Sequence, residues 1–151
     1  MKTTAMFIPA YSTPLLEKFT NYLMLDGKKT VARRIIKDML DELKKINKDE
    51  KPLKLFEQAL TNIKPSMEVR PKRIGGAVYQ IPMEVKPNRQ IMLAFRWILA
   101  AARGQKGRPM HKKLAQEIAQ ALNNEGSAIK KKEDTHRMAA ANKAFAHFAR
   151  Y

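Results

Sequence analysis

The hydrophobic period of the chain changes over one stretch, and this change restricts the fold to helices interrupted by a single β-hairpin. Up to about residue 63 the apolar residues recur every three or four positions, which indicates amphipathic helices. Between residues 67 and 86 apolar and polar residues alternate on both sides of Gly75-Gly76, as in two antiparallel strands joined by a tight turn. Pro71 and Pro82 cannot donate to a central ladder, so a two-stranded ribbon is predicted. The helical period then returns.

Six helices are predicted, and they make the fold class mainly α. Thr13-Pro14 is an N-cap followed by proline at the first helical position, and Pro52 begins a third helix. The second helix is expected to bury a stripe at helical spacing: Val31, Ile35, Met39, Leu43 and Ile46. The last helix is expected over about residues 133–149, with three apolar anchors: Met138, Phe145 and Phe148.

The chain has 151 residues, enough to bury a core, and is expected to form one helical domain over residues 1–151. Two parts should extend from it: an N-terminal arm over residues 1–12 and a protruding hairpin arm over residues 67–86. Because an isolated hairpin is marginal in water, we expect helices to anchor the hairpin at its base.

Net charge is the strongest indication of function. The sequence has 30 Lys and Arg residues against 14 Asp and Glu residues, a formal net charge of +16, which favours an anionic partner. On charge alone the partner could be a nucleic acid, an acidic membrane or an acidic protein. Most of the excess lies in residues 64–151, so the partner surface is expected there. No apolar run approaches the length of a membrane span, and no membrane partner is expected.

Residues suited to catalysis or metal binding are scarce. The sequence has no cysteine, which excludes a disulfide framework, a cysteine-ligated metal and a thiol nucleophile. The three histidines, His111, His136 and His147, lack metal-ligand spacing, and the carboxylates lie beside lysines. We therefore expect no enzymatic activity, no cofactor and no metal site.

Three arginines are spaced so that they share one face of the fourth helix. Arg89, Arg96 and Arg103 are seven residues apart, which is nearly two helical turns. No Asp or Glu lies between Glu84 and Glu117, so few acids are expected to neutralise the row. A fixed row of guanidinium groups suits a phosphate backbone, and the alternative is a solvated helix face.

Further basic residues cluster at the start of the second helix, on the hairpin and around the last helix. A helix start attracts anions, so cations placed there suit a bound phosphate, although a solvated turn is the alternative. On the hairpin, Tyr79 is suited either to stacking on a base or to cross-strand packing. The three lysines 130–132 are expected to precede the last helix. The candidate RNA-binding residues in these clusters are Lys28, Lys29, Arg33, Arg34, Arg70, Lys72, Lys130, Lys131, Lys132, Arg137 and Lys143.

Two other classes of protein fit parts of this pattern. An architectural DNA-binding protein would combine basic charge, helices and glycine-tipped arms that reach into the minor groove. An enzyme acting on RNA would need a catalytic constellation that the sequence does not offer.

Several long segments resemble the small-subunit ribosomal protein seven family in one register from about residue 14 to 148. Residues 23–29 (LMLDGKK) and 56–65 (FEQALTNIKP) resemble its first and third helices, and residues 73–82 (RIGGAVYQIP) its hairpin. Residues 95–98 (FRWI) resemble its fourth helix, and residues 131–138 and 141–147 resemble its last. Several motifs in the correct order are far more specific than any one of them.

The resemblance implies a helical protein with a β-hairpin arm that is a structural constituent of the small ribosomal subunit. It implies binding to the 3′ major domain of small-subunit rRNA, initiation of head assembly, and a place beside the cleft for exit-site tRNA and mRNA. Small-subunit proteins nine and eleven are the implied protein neighbours. The implied rRNA contacts are Lys28, Lys29, Arg34, Arg96 and Lys131. The implied arm residues facing exit-site tRNA and mRNA are Arg73, Ile74, Gly75, Gly76 and Tyr79.

The N-terminus departs from the family pattern. Bacterial members typically begin with a strongly basic arm, whereas Met1 to Tyr11 contain only Lys2 as a charged residue. We therefore expect this end to contact a protein neighbour rather than rRNA. The implied location is the head of a small ribosomal subunit, in the bacterial cytoplasm or in a mitochondrion or plastid. The unusual N-terminus and the segments rich in Lys, Asn and Ile suit an organellar or an AT-rich genome, which gives a weak leaning towards an organelle.

Overall fold

The computed structural model describes residues 7–150, which form helices and one hairpin. The predicted fold class, mainly α with a two-stranded hairpin, is confirmed. The elements in chain order are α1 (Pro14–Leu23), α2 (Lys29–Ile46), α3 (Pro52–Ile63), β1 (Met67–Ile74), β2 (Ala77–Glu84), α4 (Pro87–Gly104), α5 (Met110–Leu122), α6 (Ser127–Ala141) and a C-terminal 3₁₀ segment (Lys143–Arg150). Over the described range, no helix combines the length and apolarity of a membrane span.

Helix starts follow the sequence signals closely. The side chain of Thr13 accepts a hydrogen bond from the backbone N–H of Leu16 at 3.2 Å, which satisfies one free donor of the first turn. Proline occupies the first position of α1, α3 and α4, where its missing N–H leaves no hydrogen bond unmade. The predicted starts at Pro14 and Pro52 are confirmed.

The core is built around three phenylalanines from different helices. Phe19 of α1 lies 5.2 Å from Phe56 of α3 and 5.1 Å from Phe95 of α4, measured between ring centroids. All three side chains are fully buried. Tilted aromatic pairs at these distances each contribute about 0.5–1.5 kcal/mol beyond the burial of their area. Helix α5 packs against α2, α3 and α4 and completes the core with Leu114 and Ile118.

The buried stripe of α2 is displaced from the predicted one. Val31 and Ile46, expected to be inward, are 48% and 56% exposed, and Ile35 is only half-buried. The prediction was wrong because it followed the large apolar residues, while the packed face includes Ala32, which is too small to mark a face in a sequence. The residues that α2 buries are Ala32, Ile36, Met39, Leu40 and Leu43.

The hairpin has the register that its glycine pair predicts. Ile74 pairs with Ala77, leaving Gly75 and Gly76 as a two-residue loop with φ of +57° and +87°. Positive φ at both positions is the type I′ geometry that matches strand twist. At the base, the backbone N–H of Val85 donates to the carbonyl of Ser66 at 3.0 Å. The hairpin packs along α6 and the C-terminal 3₁₀ segment, so it is anchored by helices as expected.

The last helix begins earlier and ends earlier than predicted. Gly126, with φ of +95°, directly precedes α6, so the three lysines 130–132 lie in its first turns rather than before it. The chain leaves the α-helix after Ala141 and continues as a 3₁₀ segment in which Phe145 and Phe148 are half-buried. Met138 is 52% exposed and is not an anchor. Of the predicted N-terminal arm, residues 1–6 lie outside the described part of the chain.

Candidate nucleic-acid interface

The basic residues singled out in the sequence fall into two groups. Eight of them make no side-chain hydrogen bond or ion pair to any residue that the structure describes: Lys28, Lys29, Arg34, Arg73, Arg96, Lys130, Lys131 and Lys143. The other seven are held by contacts inside the molecule: Arg33, Arg70, Lys72, Arg89, Arg103, Lys132 and Arg137. We call these the free cations and the held cations.

The arginine row on α4 contains both kinds. Arg96 is exposed and belongs to the free cations. Arg89 donates from Nε and Nη2 to the carboxylate of Glu68 at 2.6 and 3.0 Å, and Arg103 donates to the carbonyl of Leu23 at 3.4 Å. The premise that the row lacks counter-charges is therefore wrong at Arg89. Glu68 is distant in sequence, and it is brought to the row because β1 pairs with β2, whose last residues lead directly into α4.

Glu68 lies at the centre of an ion cluster on β1. Glu68 as a whole is only 7% exposed. Its Oε1 accepts a hydrogen bond from Arg70 Nε at 3.1 Å and another from Arg89 Nε. Burial acts to raise the pKa of Glu68, but hydrogen bonds and charge from Arg89 and Arg70 outweigh it, and the pKa lies below its ordinary value. The hydrogen bond to Glu68 raises the pKa of Arg89 in turn. Glu68 and Arg89 therefore both stay charged at neutral pH.

At the start of α2, Arg33 is turned away from its basic neighbours. Its Nη2 donates to Glu17 Oε2 at 3.2 Å, and Glu17 is 1% exposed. The same nitrogen lies 3.4 Å from the carbonyl of Phe7, and the guanidinium sits 5.3 Å from the ring centroid of Phe7. Arg33 thus joins the chain before α1 to α2, whereas Lys28 and Arg34 point to solvent.

A groove between α4 and α6 presents cations beside a helix start. The groove is open to solvent and measures about 550 Å³. Small residues of α4 form one wall and the first turns of α6 the other. The lining of this α4–α6 groove is Trp97, Ala100, Ala101, Gly104, Gln105, Ser127, Lys130, Lys131 and Asp134.

The start of α6 adds to the positive character of the α4–α6 groove. Gly126 provides no side-chain cap, so the first backbone N–H groups of α6 have no capping side chain among the described residues. Lys130 and Lys131 lie one turn further on and are exposed. Free N–H groups, a helix start and two lysines together favour an anion such as phosphate. Arg96 adjoins this surface, because it lies one helical turn before Ala100 on α4.

Two of the basic residues near this groove are engaged by other residues of the chain. Lys132 Nζ donates to the carbonyl of Asn62 at 2.8 Å, which ties α6 to the end of α3. Arg137 forms an ion pair with Asp134 at 3.2 Å, and both side chains are exposed. An exposed pair of this kind exchanges readily with solvent and contributes little to stability.

The hairpin divides into an exposed tip and a covered flank. Arg73, Gly75 and Gly76 are exposed at the tip. Tyr79 instead packs between Phe145 and Phe148, with ring centroids 5.2 and 5.1 Å away. Of the two alternatives for Tyr79, the structure shows packing, here against the C-terminal 3₁₀ segment. Lys72 Nζ donates to the carbonyl of Phe148 at 3.3 Å and joins the same contact.

Three residues at these surfaces were missed in the sequence. Trp97 lines the α4–α6 groove, Glu68 organises two arginines, and His136 accepts a hydrogen bond from the hairpin base. A signal existed for Glu68, because strand alternation places it on the same face as Arg70. Among the residues that the structure describes, no group of His, Asp or Glu is arranged to hold a metal ion.

Sequence comparisons relate this chain to one family of proteins. The family model described as ribosomal protein S7p/S5e matches residues 1–143. A protein of Thermotoga neapolitana named small ribosomal subunit protein uS7 is 57% identical over 141 residues, which cover 93% of this chain and 90% of the relative. Proteins of the same name from Rhodopirellula baltica and Protochlamydia amoebophila are 57% and 51% identical, and each match covers 93% of this chain and 90% and 89% of the relatives.

Proposed function

The chain belongs to the ribosomal protein S7p/S5e family, and on this premise we propose that it binds small-subunit rRNA through its free cations. Its relatives carry the name of a small-subunit ribosomal protein, so its role is structural and it is not an enzyme. The observation that carries the proposal is the α4–α6 groove, where Lys130, Lys131 and the start of α6 face solvent together.

The mechanism is neutralisation of phosphate charge on a rigid surface. Each cation that contacts a phosphate releases counterions from the RNA, which makes the affinity depend steeply on salt. The deep major groove of A-form RNA hides its base edges, so specificity arises from the shape of the folded RNA. The small residues Ala100, Ala101 and Gly104 allow a backbone to approach α4 closely.

The finer part of the proposal concerns the place of the protein in the subunit. We assign it to the head, bound to the 3′ major domain of the rRNA and acting early in head assembly. The tip of the hairpin, with Arg73, Ile74, Gly75 and Gly76, then faces the cleft for exit-site tRNA and mRNA. The exposure of the tip supports this assignment. The ring of Tyr79 is covered by the 3₁₀ segment, so we assign the contact with the cleft to the tip residues and not to this ring.

Protein neighbours and compartment are also part of the proposal. Small-subunit proteins nine and eleven are the proposed neighbours. The relatives are of bacterial type, which favours a bacterial ribosome over the organelle that the composition suggested. The N-terminal end is proposed to contact a neighbouring protein, and the exposed aromatic ring of Phe7 is suited to such a contact.

The binding experiment uses a fragment of small-subunit rRNA that contains the 3′ major domain. Affinity is measured over a series of salt concentrations, with and without an excess of duplex DNA. We expect tight binding that DNA does not displace. Equal displacement by any duplex DNA would instead favour an architectural DNA-binding protein.

The position of the hairpin tip can be tested separately because the chain has no cysteine. Val78→Cys places one thiol at the exposed tip, and Ile46→Cys places one on the exposed side of α2 as a control. In reconstituted subunits, a photocrosslinker on residue 78 should reach exit-site tRNA, whereas one on residue 46 should not. Equal crosslinking from both positions would contradict the proposal that the hairpin tip faces the cleft.

A further inference from the structure

We infer that Glu68 is a positioning residue that holds Arg70 and Arg89 together as one clamp for an RNA phosphate. This inference rests on the proposed function, since it names how one part of the surface binds RNA. An acidic residue at an RNA-binding surface is ordinarily expected to weaken binding by repulsion. Here the contacts of Glu68 favour the opposite effect.

The two guanidinium groups converge on a single oxygen atom. Oε1 of Glu68 accepts from Arg70 Nε at 3.1 Å and from Arg89 Nε at 2.6 Å, so these two nitrogens lie within about 6 Å of each other. Arg89 Nη2 also donates to Oε2 at 3.0 Å. Arg70 comes from β1 and Arg89 from the first turn of α4, so the cluster joins two elements that are separate in sequence.

The cluster is arranged with its acid inside and its cations outside. The side chain of Glu68 is 9% exposed, whereas those of Arg70 and Arg89 are 51% and 37% exposed. Nη1 of each arginine makes no hydrogen bond within residues 7–150. Donors therefore remain available on the solvent side, and the cluster keeps a net positive charge.

A fixed pair of guanidinium groups suits a phosphate diester. Each planar fork matches two phosphate oxygens, and two forks side by side supply more donors than one. Without Glu68 the two cations would repel each other and would regain rotamer freedom. Binding would then have to restore the ordered pair, at the cost of affinity.

The test compares two acids of the same hairpin. Glu68→Gln removes the charge that holds the pair, and Glu84→Gln removes an exposed acid that has no side-chain partner in the described part of the chain. Binding is measured to the rRNA fragment with the 3′ major domain. We expect Glu68→Gln to weaken binding roughly 3- to 10-fold. Glu84→Gln should leave binding unchanged or make it tighter. Unchanged or tighter binding by Glu68→Gln would overturn the inference.

A second measurement separates positioning from a general loss of folding. Glu68→Gln is introduced into the Arg70→Gln/Arg89→Gln variant, where the clamp is absent. If Glu68 acts through the arginines, its substitution has no further effect on binding in this background. The same loss in both backgrounds would show a purely structural role and overturn the inference. Failure of the unsubstituted protein to bind the fragment would overturn the proposed function first, and the inference with it.

Discussion

Ser66 and His136 join the base of the hairpin to α6. The backbone N–H of Ser66 donates to Nε2 of His136 at 3.0 Å, so this nitrogen must be free of a proton. Ser66 also accepts from Val85 N–H at its carbonyl, which makes it the point where both strands meet the helix. Protonation of His136 would turn its acceptor into a donor and break the contact.

A dependence of stability on pH follows from this contact. Burial, together with the charge of Lys132, lowers the pKa of His136 below its ordinary value of 6.5. The unfolded chain then binds a proton more readily than the folded one, so the stabilising contribution is present above pH 6.5. It is lost as the pH falls through the lower pKa of the folded state.

The measurement is the free energy of unfolding between pH 8 and pH 5 for the unsubstituted chain and for His136→Gln. The decline at the acid end should be smaller in His136→Gln. His147→Gln, which changes an exposed histidine of the 3₁₀ segment, should decline like the unsubstituted chain. If the free energy of unfolding depended on pH identically in all three proteins, His136 would not be the cause of the decline.

Glu117 gives the opposite dependence on pH. Burial raises the pKa of Glu117, and the hydrogen bond that its Oε1 accepts from Gln105 at 2.7 Å offsets this only in part. Oε2 has no hydrogen-bond partner among the described residues. A negative charge on Glu117 is therefore unfavourable in the folded protein. Above the raised pKa the carboxyl carries this charge, and the folded state loses stability as the pH rises.

We expect Glu117→Gln to raise the thermal midpoint at pH 8. The gain should shrink as the pH falls towards 4.5, where the carboxyl takes up its proton in the folded state before it does so in the unfolded one. Thermal unfolding of both proteins across this range is the measurement. A gain that does not change with pH would mean that the burial of charge is not its source.

Gly126 is required by both its backbone and its surroundings. Its φ is +95°, and a Cβ placed there would lie 2.9 Å from Oε1 and 3.1 Å from Cβ of Gln120. Gly107 has a φ of +82° with nothing within 4 Å, so it provides a matched control. Gly107→Ala should destabilise the protein by about 1 kcal/mol from backbone strain, and Gly126→Ala by about 2–3 kcal/mol. Equal losses in chemical denaturation would show that the space around Gly126 adjusts freely.

The C-terminal 3₁₀ segment should protect the hairpin from solvent exchange. Phe148 packs on Tyr79, and its carbonyl accepts from Lys72. Phe148→Ala should speed amide hydrogen exchange in β2 by roughly 5-fold, which corresponds to about 1 kcal/mol of local stability. Phe7→Ala removes an exposed ring at the other end of the described chain and should leave this exchange unchanged.

The sequence predicted those features that depend on neighbours along the chain. Gly75-Gly76 set the hairpin turn, and Thr13 and Pro14 set the start of α1, because each acts within a few residues. Features that depend on distant partners were not predicted. Glu68 meets Arg89 only after β1 pairs with β2, which leads into α4. The face that α2 buries is decided by the helices around Ala32.

The most direct test of the account compares two pairs of lysines by the dependence of RNA affinity on salt. Lys130→Gln/Lys131→Gln removes two free cations from the α4–α6 groove. Lys44→Gln/Lys48→Gln removes two exposed lysines, one in the last turn of α2 and one just after it. The slope of log affinity against log salt should fall by about 1–2 in the groove variant, as expected for two lost phosphate contacts. It should stay unchanged in the α2 variant. Equal slopes in the two variants would contradict the account, because the charge of the protein would then act without regard to its position.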